Sequence, residues 1–416
     1  MHINYVLWGV ARTGGTITFN EIGKRLIKKG HRVTITVLDD GHGVITGKGF
    51  KPKWEPDTPI EYIPVNLGNR YWRYFGNIAC RFLKPYGIVS EFDNIFKIID
   101  YIPECDINVA TYFPSTFSVY LSKKGKAQFY HMQHYEPHEP LFFNNQSSYK
   151  NPFPRTVRAL ASRLLDKIAP ETFSLLSSSK LAEISYLLPL NKIANSSWLQ
   201  KTVKEIYGVD SILVNHAIRN EVFYPRPQIK RSNKKSILCL GKTMTPWKGV
   251  NTLVEALKIV SKKYNDLELV LYGPEKNPNV DFPYRYIFNP SSEELAELYC
   301  SSNIVVCPSW YESFPAPPLE GMACGIPVVT TAIGVEDYAV NEKNCLIVPP
   351  RNHETMATAI LKLLSDKDLC DKFRMEGPKT ARQFTWDKTA NRVEKVFEEA
   401  LKKSKRINNK ELKNYS

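Results

Sequence analysis

The chain has 416 residues, of which 43% are hydrophobic and 24% charged, a composition that excludes a wholly disordered, collagen-like or membrane-spanning protein and allows two buried cores. Its 8 cysteines form neither a CxxC pair nor a zinc-like grouping, so a disulfide framework and a metal cluster are not expected and a reducing cytoplasm suits them. The net charge of +14 is uneven, basic over residues 1–250 and acidic over 251–400, which points either to an anionic partner for the first half or to plain solubility.

The opening residues carry too short an apolar run for a secretory leader, and no stretch approaches the roughly 18 to 20 apolar residues of a membrane span. Residues 5–10 read as a short buried strand, Gly14 and Gly15 as a tight turn, and residues 20–27 as an amphipathic helix closed by Gly30. Residues 31–38, rich in β-branched side chains, return as a strand and complete a βαβ unit, so the chain opens as a doubly wound α/β domain. The GxGxxG fingerprint is absent, which argues against a nicotinamide dehydrogenase.

Residues 70–84 mix Arg70, Arg73, Arg81 and Lys84 with Tyr71, Trp72, Tyr74, Phe75 and Phe82, the composition of a helix lying on an anionic bilayer. An ordinary amphipathic helix packed on its own domain is the reading favoured over the bilayer one; no nucleic-acid-binding signature accompanies the segment, so nucleic acid is not expected as a partner. Residues 127–140 read as a strand running into a loop with His131, His134 and His138 beside Glu136 and Glu139. His131 and His134 differ by an odd number, face opposite sides of a continuing strand and make poor co-ligands, so no metal site is expected.

Residues 216–235 are proline-punctuated and basic, as an interdomain connection would be. A second α/β start follows, with a strand at 236–241, a helix at 251–260 and a strand at 267–273; the alternation then continues through helix 293–299, strand 304–308, helix 319–324 and strand 327–331. This reading divides the chain into a first Rossmann-like domain (1–215), a linker (216–235), a second Rossmann-like domain (236–388), a C-terminal helix (389–403) and a basic tail (404–416) expected to fray.

The most specific segment is 310–331, WYESFPAPPLEGMACGIPVVTT. Glu312 lies in the loop leaving a strand, and Ser313 with Pro317 and Pro318 is expected to open a helix containing Glu320, whose N-terminus could receive a diphosphate. The segment closely resembles the E-x7-E signature of the retaining, family 4 glycosyltransferases of the GT-B fold, with Glu312 and Glu320 as its two acids. That resemblance implies that Glu312 contacts the donor sugar or phosphate and Glu320 the ribose hydroxyls. Lys242 and Lys248, in residues 241–249, match a basic pair that neutralises the leaving pyrophosphate. Gly14 and Gly15 resemble the family's glycine loop near the donor phosphates. His134 matches a histidine close to the donor sugar, with His131 as the fallback; some rhamnosyltransferase-like relatives read Gln-Asp-Tyr-Glu-Pro here, so His134 replaces an acid while Gln133, Tyr135 and Glu136 fit. Pro315 stands where relatives often have glycine, which would shift phosphate contacts to the amides of Phe314 or Ala316. Residues 384–387 and the following helix look like the family's C-terminal crossover to the first domain.

The resemblance implies two lobes facing across a cleft and a metal-independent, retaining transfer of a hexose from a nucleotide diphosphate sugar to a hydroxyl of a surface-glycan or lipid-linked acceptor. No cofactor is implied, and the location would be cytoplasmic and peripheral to the membrane. The alternatives are a non-catalytic nucleotide-sugar-binding partner of another transferase and, more remotely, an NAD-dependent oxidoreductase.

Overall fold

The computed structural model describes residues 1–65, 89–136, 178–231 and 234–414. The aromatic basic segment 70–84 and the loop residues His138, Glu139 and Pro140 lie outside the described residues. The chain forms two compact units, one of Met1–Ala194, Gln200–Val214 and Ala390–Ser416, the other of Asn195–Leu199 and Asn215–Thr389.

The first unit contains β1 (His2–Leu7), α1 (Gly14–Lys28), β2 (Arg32–Leu38), β3 (Gly43–Thr46), β4 (Gly49–Pro52), β5 (Glu61–Val65), α2 (Val89–Tyr101), β6 (Ile107–Ala110), α3 (Phe113–Ser122), β7 (Ala127–Met132), α4 (Ser178–Leu187), β8 (Asn191–Ala194), α5 (Ser197–Tyr207) and β9 (Ile212–Leu213). Its parallel sheet runs β5-β2-β1-β6-β7-β8-β9, and β3 and β4 form a separate antiparallel hairpin. The first three residues of α5 belong to the second unit. The helix expected from residue 20 begins six residues earlier. Thr13 caps it, accepting from the Thr16 amide at 3.2 Å while Thr16 Oγ1 accepts from the Thr13 amide at 2.9 Å. Gly14 and Gly15 are therefore its first two helical residues and not a tight turn, because the cap places the chain reversal before them.

The second unit contains β10 (Lys235–Leu240), α6 (Val250–Val260), β11 (Leu267–Gly273), β12 (Tyr284–Phe288), α7 (Ser292–Ser301), β13 (Ile304–Cys307), α8 (Ala316–Ala323), β14 (Val328–Thr331), β15 (Leu346–Val348), α9 (His353–Ser365), α10 (Lys367–Ala381) and the start of α11 (Trp386–Asn414). Its parallel sheet is ordered β12-β11-β10-β13-β14-β15. The strands are apolar at almost every position because both faces are covered: Ile237, Ile304, Val306 and Val329 enter one core, while Leu238, Val305 and Val328 enter the other. Much of the expected linker is built into this unit, with Ile218 and Phe223 buried in its core and Ile218 bridged to Thr385.

Helix α11 continues to Asn414, past the Lys403 boundary expected from its apolar repeat and into the tail expected to fray. Its Ala390, Val393, Val396 and Phe397 are buried, Phe397 meets the Phe129 ring edge-on at 4.9 Å, and Glu394 pairs with Lys29 and His31 at 2.7 and 2.8 Å, all within the first unit. No helix among the described residues is long and apolar enough to cross a membrane.

Candidate functional site

In the second sheet β10 is flanked by β11 on one side and β13 on the other, so the chain reverses its direction of progress across the sheet there. Ligands of open α/β sheets bind beyond the carboxyl ends of strands at such a switch point. The loops leaving those two ends are 241–249 and 308–315, and they carry Lys242, Lys248 and Glu312.

The structure joins the two loops at three points. Lys248 Nζ lies 2.5 Å from Glu312 Oε1, the Trp310 amide donates to the Trp247 carbonyl at 2.7 Å, and the Trp247 and Tyr311 rings stack at 6.2 Å. Two glycines permit this approach. A Cβ on Gly249, whose φ is +69°, would sit 2.0 Å from the Pro308 carbonyl oxygen, and one on Gly334, at φ +86°, would sit 2.2 Å from that of Glu312. Glu275 fixes the first loop from below: its carboxylate accepts from the Thr243 amide at 2.9 Å, the Thr243 hydroxyl at 2.7 Å and the Met244 amide at 3.0 Å. Lys242, the residue before these donors, is half-buried.

Glu320 is on α8 and also half-buried. The Tyr299 hydroxyl donates to its Oε2 at 2.9 Å, and the Tyr272 hydroxyl lies 2.9 Å from that of Tyr299. Burial and the neighbouring Glu320 carboxylate push both phenols well above the usual tyrosine pKa, so both stay protonated.

The start of α8 differs from the sequence expectation. Its N-cap is Pro315, which makes no side-chain cap, and Ser313 does not open the helix: its side chain is 2% exposed and its hydroxyl donates to Asn195 Oδ1 at 2.7 Å. Phe314 is buried against Tyr338, Phe384 and His216, with ring centroids 5.2, 5.7 and 5.6 Å away. Of the four backbone positions that leave N–H groups unbonded at a helix N-terminus, here 315–318, three are proline, so Ala316 alone offers an amide donor. Tyr338 holds the turn, donating to the Pro315 carbonyl at 2.7 Å.

In the first unit, Gly14 and Gly15 start α1 with nothing closer than 3.9 Å to where a Cβ would lie, so the backbone there is open to approach. His131, the fallback histidine, is 1% exposed and packs edge-on against Phe19 at 5.3 Å, which makes it a core residue. His134 follows the end of β7, is half-buried, and its carbonyl accepts from the Tyr186 hydroxyl at 3.2 Å. Glu136 is buried and accepts from the Tyr130 hydroxyl at 2.5 Å. Among the described residues, no three His, Cys, Asp or Glu side chains gather as metal ligands would.

Sequence reasoning missed Glu275, Tyr299, Tyr272, Asn195 and Gly334. Only Gly334 carried a local signal, a glycine following a strand; the other four act across sequence separations that no motif spans.

Residues 234–366, which hold Lys242, Lys248, Glu312, Glu320, Glu275 and Tyr299, match the family model of glycosyl transferases group 1. This stretch is a group 1 glycosyl transferase domain. An uncharacterised glycosyltransferase of Methanocaldococcus jannaschii is 25% identical to the chain over 212 residues, covering 50% of this chain and 59% of that one. A D-inositol 3-phosphate glycosyltransferase of Jonesia denitrificans is 28% identical over 39% of this chain and 42% of its own length, and a phosphatidyl-myo-inositol mannosyltransferase of Mycobacterium leprae 23% identical over 50% and 59%. The chain spans about half the length of the curated relatives it matches.

Outside the group 1 domain the likeness is one of fold. Sucrose-phosphate synthase from Thermosynechococcus elongatus superposes with a TM-score of 0.65 at 16% identity, covering 96% of this chain and 98% of that one. Anabaena HepE, solved in complex with UDP-glucose, gives 0.62 at 14% identity over 96% and 100%. The fold class is the GT-B class of paired Rossmann-like domains.

Proposed function

We propose that the protein is a retaining glycosyltransferase that moves a hexose from a nucleoside diphosphate sugar to a hydroxyl of a glycan or lipid-linked acceptor. The observation that carries this reading is the Lys248–Glu312 ion pair at the switch point of the second sheet, with Lys242 on the same loop as Lys248 and Glu312 on the loop that leads into α8. A diphosphate arriving there meets an ammonium already held in place by a carboxylate, and the charge that develops on the leaving group is met without reorganisation. The two lysines supply the positive charge for which other transferases use a divalent ion. Glu320 offers carboxylate acceptors to ribose hydroxyls, and Glu312 offers them to sugar hydroxyls. Gly14, Gly15 and His134 are assigned to donor and sugar contacts on the family resemblance, with His134 in a hydrogen-bonding role.

Retention rests on the E-x7-E resemblance. The acceptor class is supported by the mannosyltransferase relative, named for phosphatidyl-myo-inositol, and by the structural likeness to WaaG, a transferase of lipopolysaccharide biosynthesis. A cytoplasmic, membrane-peripheral location accompanies such an acceptor. A second reading, a nucleotide-sugar-binding partner without turnover, draws support from the prolines at 315, 317 and 318, which thin the anion-binding end of α8.

A thermal-shift panel with UDP, GDP, ADP, dTDP, CMP and NAD, with and without Mg²⁺, tests both. Ligand at about 100 times its dissociation constant stabilises by roughly 2.7 kcal/mol. A metal-independent shift with a nucleoside diphosphate is expected and identifies the donor base. A shift with no consumption of the matching sugar nucleotide and acceptor would leave the second reading, and a shift with NAD alone would overturn both.

A further inference from the structure

The Glu320 carboxylate is the end of a chain of hydroxyls that starts inside the core. Tyr299, on α7, is fully buried, and Tyr272, near the end of β11, is almost so. A phenol has one proton. Tyr299 donates its proton to Glu320 Oε2, so at the 2.9 Å contact between the two phenols Tyr272 must be the donor and the Tyr299 oxygen the acceptor. The order Tyr272, Tyr299, Glu320 is thereby fixed, each bond polarising the next. Both rings are wedged in the core: Tyr299 meets Tyr272 edge-on at 6.1 Å and Phe223 at 5.9 Å, so neither hydroxyl can swing away without repacking.

We propose that Tyr299, backed by Tyr272, is a positioning residue for ribose recognition. The phenol chain holds the Glu320 carboxylate in one orientation for the ribose hydroxyls of a nucleoside diphosphate. This rests on the reading that Glu320 serves a nucleotide. A carboxylate held from one side loses little rotational freedom when a diol arrives at the other, and that preorganisation is what Tyr299 contributes. Lacking the hydroxyl, Glu320 would lose this donor, and Tyr272 would be left without its buried acceptor.

The test is titration calorimetry of the full chain with UDP and GDP, each beside its 2′,3′-dideoxy counterpart, on the wild type and on Tyr299→Phe, Tyr272→Phe and Glu320→Ala. For whichever base binds, the wild type is expected to prefer the ribose form at least tenfold. Tyr299→Phe should lower that preference about fivefold while leaving the dideoxy affinity unchanged, Tyr272→Phe should lower it about twofold, and Glu320→Ala should abolish it. An unchanged preference in Tyr299→Phe alongside its loss in Glu320→Ala would overturn the positioning role and leave the site reading standing. Equal weakening of both ligand forms in Tyr299→Phe would mark a general lesion and also overturn the role. A wild type without ribose preference, or Glu320→Ala retaining it, would overturn the site reading and this inference with it.

Discussion

Helices α1 and α8 each follow a strand at the switch point of their own sheet, yet their N-termini are built in opposite ways. Helix α1 has a side-chain cap on Thr13 and two glycines, so its end is held by hydroxyls and its backbone stays open. Helix α8 has a proline N-cap and two further prolines, so three of its four terminal amides are absent and Ala316 remains. The dipole of either helix favours an anion, but only donors can fix one in place. On the proposed reading, an anion at α8 takes its donors largely from the neighbouring loop, through Lys242 and Lys248, whereas at α1 the backbone itself is available. Placement on the sheet makes a helix end available; the residues at that end decide whether backbone or side chain holds the ligand.

Four experiments sharpen or break this comparison. Lys248→Ala should have the largest effect, lowering turnover about 10²- to 10³-fold in a steady-state assay with the donor found by the panel, since it removes a preorganised cation beside Glu312. Turnover within threefold of wild type would move the charge of the site elsewhere.

The second concerns the packing behind α8. His216 lies between Phe314 and Trp386, and burial lowers its imidazole pKa from 6.5 to about 4. Because the folded pKa is depressed, the unfolded chain binds the extra proton first; the neutral imidazole's contribution is complete above about pH 6.5 and falls away as pH drops towards 4. Urea midpoints should show a loss on the order of 2 kcal/mol between pH 7 and pH 5 that His216→Phe largely removes. Equal pH slopes in both proteins would show that His216 is solvated.

Pro317→Ala restores one amide to α8 and should tighten nucleoside diphosphate binding about fivefold, the worth of one net hydrogen bond. No change in titration calorimetry would mean that this helix end does not meet the diphosphate. At α1, Thr13→Ala should cost about 1 kcal/mol in urea unfolding, with little change in diphosphate affinity. A large affinity loss without a stability loss would make Thr13 a ligand contact.

How much of this was legible follows from the range of each interaction. The alternation of apolar runs and helical periods showed two parallel-sheet units, because strands covered on both faces must be apolar throughout. Lys248 and Glu312 could be nominated by motif, but their pairing needs two loops brought together by strand order. Glu275, Tyr299 and Tyr272 were invisible for a related reason: a glutamate after a strand and tyrosines in apolar runs look like ordinary surface and core residues until the fold sets them beside Thr243 and Glu320. The start of α1 was misplaced because Gly-Gly suggests a turn, while the capping signal, Thr13 with Thr16 at the third helical position, uses threonine where glutamate or glutamine is usual. The tail of α11 lacked a core pattern and was still helical, since a helix already anchored by Val393, Val396 and Phe397 needs only propagation to continue.

The first unit takes its last structural helix from residues 390 onward, beyond all of the second unit. During synthesis its seven-stranded sheet therefore waits uncovered at the Phe129 face, and Lys29 and His31 wait for Glu394, until the second unit has already been made. The half of the protein that leaves the ribosome first is the half that finishes folding last, and a stop codon just before residue 390 would damage the beginning of the chain more than its end.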